Sequence, residues 1–434
     1  MPKRAGTFAA LPAHGWRLPP PGRKRDLVLA LLLALCAAAF RLPGLGFPEA
    51  EYFDEVYHAK SARQYLEGKP PIDWVHPPTS KLLIAAGIWL LGYTSTAWRL
   101  APALVGIALA PVFFLLARRV LATERAALLA SILLLADGVY LVQSRVAMTN
   151  IFAVFFQVAA ALFIVRAGLP ERLPVVDTLL AGTFLGLALS TRWTSLFAAV
   201  FLGTVFLVLR RERLLRPREI GWALVAFVLI PVDIYLLSYI PWMRQGHTLR
   251  EVVSIQSAIW NYHATLSASH PYFSHWYTWP LLYRPTLYYF KQIPASNGAI
   301  HGILALGNPA LWWASLPVTL WALVTGFRER DPRRIFSGVG FCALYLPWGL
   351  SPRTLNFSHY LFEAIPYACL SLGGLLDRGW DHFLSPVARG YLLVVVLLFV
   401  FFYPFLTAMP IPSKLFYFQM GEGHWPWWWF NTWI

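Results

Sequence analysis

Charge is scarce in this chain. Only 13% of its 434 residues are Asp, Glu, Lys or Arg, and 58% are hydrophobic. A soluble domain carries about 25% charged residues, so this composition excludes an ordinary soluble enzyme, a disordered chain and a collagen-like fibre. Acid is scarcer than base: 21 Asp and Glu stand against 36 Lys and Arg, a net +15. Cysteine is nearly absent. Cys36, Cys342 and Cys369 all lie inside apolar runs, which leaves neither a disulfide framework nor a CxxC metal site. No internal repeat is visible.

What is abundant is long apolar sequence. A membrane-crossing helix needs about 20 mostly apolar residues. Eleven stretches qualify: 27–46, 98–117, 126–144, 147–167, 175–191, 194–210, 219–240, 303–326, 336–350, 358–376 and 390–409. With the N-terminus in the cytoplasm, the short cytoplasmic connections and the N-terminal segment hold 22 of the 36 basic residues. This is the positive-inside pattern. It predicts a multi-pass protein of the plasma membrane with its C-terminus outside, and it accounts for the basic excess without nucleic acid. The first run is too long, and lacks a small-residue cleavage site, to be a cleaved signal peptide. Residues 1–26, rich in Pro and Arg, are expected to be a disordered cytoplasmic segment. The membrane domain then covers 27–410. The tail 411–434 holds Trp425, Trp427, Trp428, Trp429 and Trp433 and is expected along the outer headgroup layer.

Two long outer loops, about 47–97 and about 241–300, are both rich in aromatic and ionisable residues. Long loops are usually functional. The first opens on Glu49, Glu51, Asp54 and Glu55 beside Tyr52, Phe53, Tyr57 and His58. Crowded carboxylates raise one another's pKa, and a raised carboxylate can act as a base; the plain alternative is a solvated acidic turn. Then follows Trp74-Val75-His76-Pro77-Pro78-Thr79-Ser80-Lys81 and an apolar run of about 11 residues, too short to span and expected to lie at the surface. Its start offers free N–H groups to an anion, and Lys81 adds charge.

Arg145, Arg192 and Arg284 return to the same membrane face from separate places. Singly, each can merely snorkel to lipid phosphates. Together, beside the acidic cluster, they suggest a bound phosphorylated lipid, because the guanidinium fork grips phosphate oxygens. Asp137, Asp233 and Glu363 lie inside apolar spans, where acids are functional candidates. Glu363 shares a helix face with His359, four residues earlier; structural pairing explains the two as well as a substrate role does.

These strings, in order, resemble the phospholipid-carrier-dependent protein O-mannosyltransferases of the GT-C superfamily, in their bacterial form. The resemblance rests on Phe53-Asp54-Glu55-Val56-Tyr57, His76-Pro77-Pro78-Thr79-Ser80-Lys81 and Gln143-Ser144-Arg145. It continues through Thr191-Arg192-Trp193, Tyr239-Ile240-Pro241-Trp242, His270-Pro271-Tyr272, Trp279-Pro280-Leu281, Arg284-Pro285, Leu306-Gly307-Asn308-Pro309 and His359-Tyr360. It implies an all-α polytopic GT-C fold of about eleven transmembrane helices, with two outer loops bearing short interfacial helices. It also implies mannose transfer from a polyprenyl-phosphate-mannose donor to Ser/Thr hydroxyls of secreted or membrane proteins. By resemblance Asp54 is the catalytic base and Glu55 its helper. Arg145, Arg284, Arg192 and Lys81 become donor-phosphate ligands; His76, His270, Trp279, His359 and Glu363 become substrate-binding residues.

There are departures. Asn150 stands where the family often has an acid, so no metal and no cofactor is expected. About 60 residues in the second outer loop cannot hold the β-trefoil domain of eukaryotic members. Membrane lipids are expected partners, as is coupling to the export machinery. The rival enzyme reading is a GT-C transferase adding another sugar, such as aminoarabinose, to a lipid or glycan. The His-Pro-Tyr and Trp-Pro-Leu strings speak against it. A secondary transporter would show inverted repeats and broken helices with midplane charges; here no repeat is visible and the polar groups gather on one face.

Overall fold

A computed structural model describes residues 23–213, 216–293, 298–382, 384–416, 419–420, 423–424, 427 and 429–433. The fold is mostly helical. In chain order the helices are α1 (Arg23–Arg41), α2 (Glu55–Leu66), α3 (Thr79–Leu91), α4 (Ser95–Val120), α5 (Glu124–Leu135), α6 (Gly138–Gln143), α7 (Asn150–Gly168), α8 (Val175–Leu189) and α9 (Ser195–Arg210). A π turn at Val225–Leu229 joins α10 (Pro217–Leu224) to α11 (Ile230–Ser238). Next come α12 (Ile240–Met243), α13 (Leu249–Thr265), α14 (Pro309–Glu329), α15 (Pro332–Tyr345), α16 (Ile365–Trp380) and α17 (Ser385–Leu406).

Among the described residues, five helical stretches are long and apolar enough to cross a membrane: Ser95–Val120, Asn150–Gly168, Pro217–Ser238, Pro309–Glu329 and Ser385–Leu406. Helix α7 sits at the centre, packed on α4, α8 and α9. The stretch expected at 126–144 is broken. Asp137 ends α5 and caps α6, accepting from the Tyr140 N–H at 2.8 Å and, through its other oxygen, from Trp312 Nε1 at 2.7 Å. The Asn308 N–H adds a third hydrogen bond at 3.2 Å, and a buried carboxylate that must be so paired bends the chain around itself.

The all-α expectation is corrected in the second outer loop. Thr286–Ile293 (β1) and Ala299–Ala305 (β2) pair antiparallel, and Ile411–Pro412 (β3) joins the far edge of β2. The stretch read as a span from residue 303 therefore begins in a strand. Residues 286–293 are rich in Thr, Tyr, Phe and Ile, which favour strands, a preference that an apolar average hides. The pairing slips between Leu287 and Tyr289, and such a bulge re-aims a side chain. In the tail, Trp433 is fully buried and donates to the Leu282 carbonyl at 2.7 Å, and Trp427 donates to the Phe401 carbonyl at 3.2 Å. Trp425 and Trp428 lie outside the described residues.

At one end of the bundle arginines pair across helices: Arg25 with Glu124, Arg118 with Asp26, and Arg125 with Asp377 and Asp381. The opposite end carries α2, α3, α13 and the sheet.

Candidate functional site

Two buried arginines shape the segment between α1 and α2. Arg145 donates to the carbonyls of Arg41, Pro43 at 2.8 Å and Gly44 at 3.0 Å. Arg99, reaching in from α4, donates to Leu45 at 3.1 Å, Pro48 at 2.7 Å and Ala50 at 3.2 Å. Its remaining edge grips both oxygens of Glu55 at 2.8 Å. Glu55 also accepts from the Ala147 N–H at 3.0 Å and is fully buried. Each carbonyl that an extended segment cannot pair internally thus meets a fixed donor. The path of residues 41–55 is set by side chains 50 to 100 residues downstream.

At the end of this clamped path stands Asp54, the N-cap of α2. Phe53 before it holds a left-handed backbone, φ 51°, a strain of about 1–3 kcal/mol for a residue with a Cβ. Packing holds it there. The Phe53 ring stacks on Tyr288 at 4.1 Å and meets Phe357, His270 and His359 edge-on. Tyr288 is the bulged residue of β1, and its hydroxyl accepts from Gln143 Nε2 at 2.7 Å.

The Asp54 carboxyl is partly accessible. Among the described residues it makes no hydrogen bond and no ion pair. Burial pushes its pKa up and Asp73 adds to that; His58, Arg353 and Arg192 oppose it. Glu55 beside it differs: its ion pair with Arg99 leaves it no face toward a substrate.

Below α2 lies a second buried cluster. Asp73 meets His58 Nδ1 at 3.1 Å, His76 Nδ1 at 3.2 Å and Lys81 Nζ at 3.0 Å. Lys81 also donates to the Asp73 carbonyl at 2.6 Å and the His76 carbonyl at 2.7 Å. An ammonium has three protons, and all three are engaged, so Lys81 has none for a phosphate. At the start of α3 the Thr79 N–H is also engaged, donating to Ser190 O at 3.1 Å. Burial works against the Asp73 charge, but Lys81, His76 and His58 together hold its pKa well below the usual carboxylate range. Burial lowers His76 to about 3. His58, Asp73 and His76 have the donor types of a metal site, with ligand atoms within 4.8 Å of one another. The Lys81 ammonium already holds the cation's place on Asp73, and a divalent ion there would face that charge.

On the other side of Asp54, Arg192 donates to Asn150 Oδ1 at 2.7 Å, lies 3.6 Å from Glu363 and rests over the Tyr360 ring. Glu363 accepts from Thr194 at 2.8 Å and Gln157 at 3.1 Å. Arg353 is fixed by a histidine. His263 Nε2–H donates to the Val75 carbonyl at 2.9 Å, so its Nδ1 is left to accept from Arg353 Nη1 at 3.1 Å. Arg353 also donates to Leu355 at 2.7 Å and, among the described residues, pairs with no carboxylate. Arg284, half-buried, forms no ion pair among the described residues; its Nε is buried without a partner above the Tyr272 ring.

Of the sequence-predicted residues, the structure brings Asp54, Arg192, His270 and His359 around one aromatic cleft. His359 Nδ1 lies 3.3 Å from Thr286 Oγ1, and its Nε2 is buried with no partner. His270 accepts from the Tyr272 N–H at 3.1 Å. Trp279 is fully buried, donates to Ser274, and packs on Trp348 and Tyr360; it supports the cleft from behind. Arg145 and Lys81 serve the backbone. Sequence reasoning missed Asp73, Arg353, Arg99 and Tyr288. Asp73, eight residues before Lys81, was a legible signal for a buried ion pair; Arg353 carried none.

The family model described as dolichyl-phosphate-mannose-protein mannosyltransferase matches residues 31–98 and 94–244. The model of the C-terminal four-span region of protein O-mannosyltransferase matches 248–425. The polyprenol-phosphate-mannose–protein mannosyltransferase of Corynebacterium glutamicum is 30% identical over 93% of this chain and 92% of its own. Its counterpart in Mycolicibacterium smegmatis is 28% identical over 97% and 98%. The fold is similar to that of the Saccharomyces cerevisiae protein O-mannosyltransferase complex bound to its sugar donor, at 15% identity. That match has a TM-score of 0.81 and covers 94% of this chain and 93% of the other. ArnT from Cupriavidus metallidurans bound to undecaprenyl phosphate matches less closely, with a TM-score of 0.57, 17% identity and coverage of 89% and 77%.

Proposed function

The chain belongs to the dolichyl-phosphate-mannose-protein mannosyltransferase family, and from that premise we propose that it transfers mannose from a polyprenyl-phosphate carrier to Ser/Thr hydroxyls of proteins. The observation that carries the chemistry is the contrast between two adjacent carboxylates. Glu55 is locked in an ion pair, whereas Asp54 stands in the cleft with its carboxyl unengaged among the described residues.

Asp54 takes the proton of the acceptor hydroxyl as its oxygen attacks the sugar's anomeric carbon. The lipid phosphate leaves from the opposite face, so the anomer inverts in one step. A phosphate leaving group needs no protonating acid, only cations to stabilise its growing charge. Arg284, Arg353 and Arg192 supply them; the first two have no carboxylate partner among the described residues. The step so written calls on neither metal nor cofactor, and Lys81 already holds a cation's place on Asp73.

Eleven crossings, with the N-terminus cytoplasmic and the C-terminus and cleft at the outer face of the plasma membrane, fit the basic-residue pattern. Acceptors would then be met as they are exported. The test is direct: purified protein, labelled polyprenyl-phosphate mannose and a Ser/Thr-rich peptide. The expected product is an O-linked mannosyl peptide of anomeric configuration opposite to the donor's. Transfer to a lipid or glycan and not to peptide would overturn the reading.

A further inference from the structure

Among the described residues, the β1–β2–β3 sheet keeps one long edge unpaired, and that edge starts beside the base. The far edge of β2 is taken by β3. One face of the sheet lies on the clamped segment 41–55. Tyr289 meets Phe47 and Tyr52 there, and His301 of β2 meets Phe47 with ring centroids 5.0 Å apart. The bulge brings Tyr288 to that same side, where its ring stacks on Phe53. The opposite face is filled by the end of α17 and the chain after it. A Cβ at Gly302 would strike the Phe405 ring, and the Phe290 and Phe416 rings are 5.8 Å apart.

The outer edge of β1 is different. Every second peptide group of an edge strand points away from its antiparallel partner. Among the described residues, the backbone of 287–291 makes no hydrogen bond beyond the ladder to β2. Tyr288 is buried and Tyr289 half-buried, whereas Phe290 and Lys291 are exposed. The edge therefore leads from the aromatic cleft out to the surface. Its order follows the reaction. Arg284, a phosphate cation of the transfer reading, stands just before the strand. Tyr288 then stacks on the residue preceding Asp54, and the unpaired peptide groups come next.

We propose that the acceptor docks as an added strand on the outer edge of β1, an extended polypeptide whose Ser or Thr stands level with Tyr288 and turns its hydroxyl to Asp54. Side chains of an added strand alternate between the two faces of the sheet, so one in two faces the segment that ends at Asp54. Main-chain bonds to a sheet edge give affinity without reading side chains. That suits a reaction which asks of its acceptor only a Ser or Thr hydroxyl. The rival occupant is a second copy of this chain. Lys291 is exposed on this strand, and an edge lysine is a device by which sheets avoid pairing with themselves. An uncharged Ser/Thr segment meets no such repulsion.

This inference rests on the mannosyl-transfer reading, and the experiment separates the two. The purified full chain and labelled polyprenyl-phosphate mannose are given peptides that carry one Thr among Ala and Gln, each N-methylated at a single backbone position. Methylation removes one N–H donor and leaves the side chains. Acceptor KM is expected to rise roughly three- to tenfold, the worth of one backbone hydrogen bond, at every second position beside the Thr. The positions between, kcat and donor Kd should not change. To locate the strand, Lys291→Cys is offered peptides with one Cys at increasing distance from the Thr, under oxidising conditions. The bulge makes Tyr288 and Tyr289 count as one position, so Lys291 stands two positions on and on the same face. A disulfide is expected with a Cys two residues from the Thr, and not with one at one or three residues, which turns to the other face. Wild type that mannosylates no unmodified peptide overturns the transfer reading itself. Wild type active, with N-methylation tolerated throughout or penalised without alternation, overturns the added strand alone, as does cross-linking without preference among the Cys positions. Lys291→Cys that links to a second copy of itself in preference to peptide gives the edge to self-pairing and overturns it too.

Discussion

Replacing Glu55 by Gln keeps its shape and removes its charge. The carboxylate is fully buried and faces two Arg99 nitrogens at 2.8 Å. Without it the guanidinium stays enclosed with only carbonyl partners. Breaking one side of such a buried pair costs about 3–5 kcal/mol. An unfolding entropy of about 2.1 cal/mol/K per residue, taken over 434 residues, gives about 0.9 kcal/mol/K. The melting temperature should therefore fall by about 3–5 °C. Transfer should fall with it. Arg99 also fixes the carbonyls of Leu45, Pro48 and Ala50, so loosening it moves the start of α2, and a displacement of about 1 Å at a reacting group can cost about a hundredfold. Thermal unfolding in detergent, paired with peptide mannosylation, measures both effects. In a double-mutant cycle with Arg99→Gln, the double variant should cost clearly less than the sum of the singles. A Glu55→Gln protein that melts like wild type yet transfers no mannose would refute this reasoning. It would put Glu55 in contact with substrate.

Lys81→Met should cost about 3–5 kcal/mol of stability by the same logic, with donor affinity of the folded fraction unchanged; weaker donor binding at normal stability would return Lys81 to the phosphate. Arg284→Gln should do the reverse. It should weaken donor binding about 10- to 100-fold, the worth of a charge-assisted hydrogen bond of about 1.5–3 kcal/mol, with melting unaltered, and calorimetric titration with polyprenyl phosphate decides it. Activity should fall at acid pH. Burial raises the Asp54 pKa, a base works only when ionised, and so kcat/KM should drop as pH descends through a value above the ordinary Asp pKa of about 3.9. An acid limb below that value would contradict the burial argument.

Much of the bundle was legible because a membrane helix announces itself locally, through the run of apolar side chains that lipid requires. The β1–β2 hairpin was not, since its residues are apolar too and only the pairing of Thr286–Ile293 with Ala299–Ala305 separates strand from helix. At the site, residue types were readable and their employment was not. Arg145, Lys81 and Arg284 look alike in sequence. The first two satisfy buried carbonyls from distant segments, and the third stands without an ion pair among the described residues. That difference arises only once residues 41–55 and 73–81 have folded against α4 and α6. Arg353 was invisible for the same reason, its role being set by a partner 90 residues away.

The sharpest single measurement is the rate of one turnover by Asp54→Asn on pre-bound donor. Mannose transfer at least a thousandfold slower than wild type, with donor affinity and melting temperature preserved, is the predicted result. Transfer within a few-fold of wild type would contradict the assignment of the base.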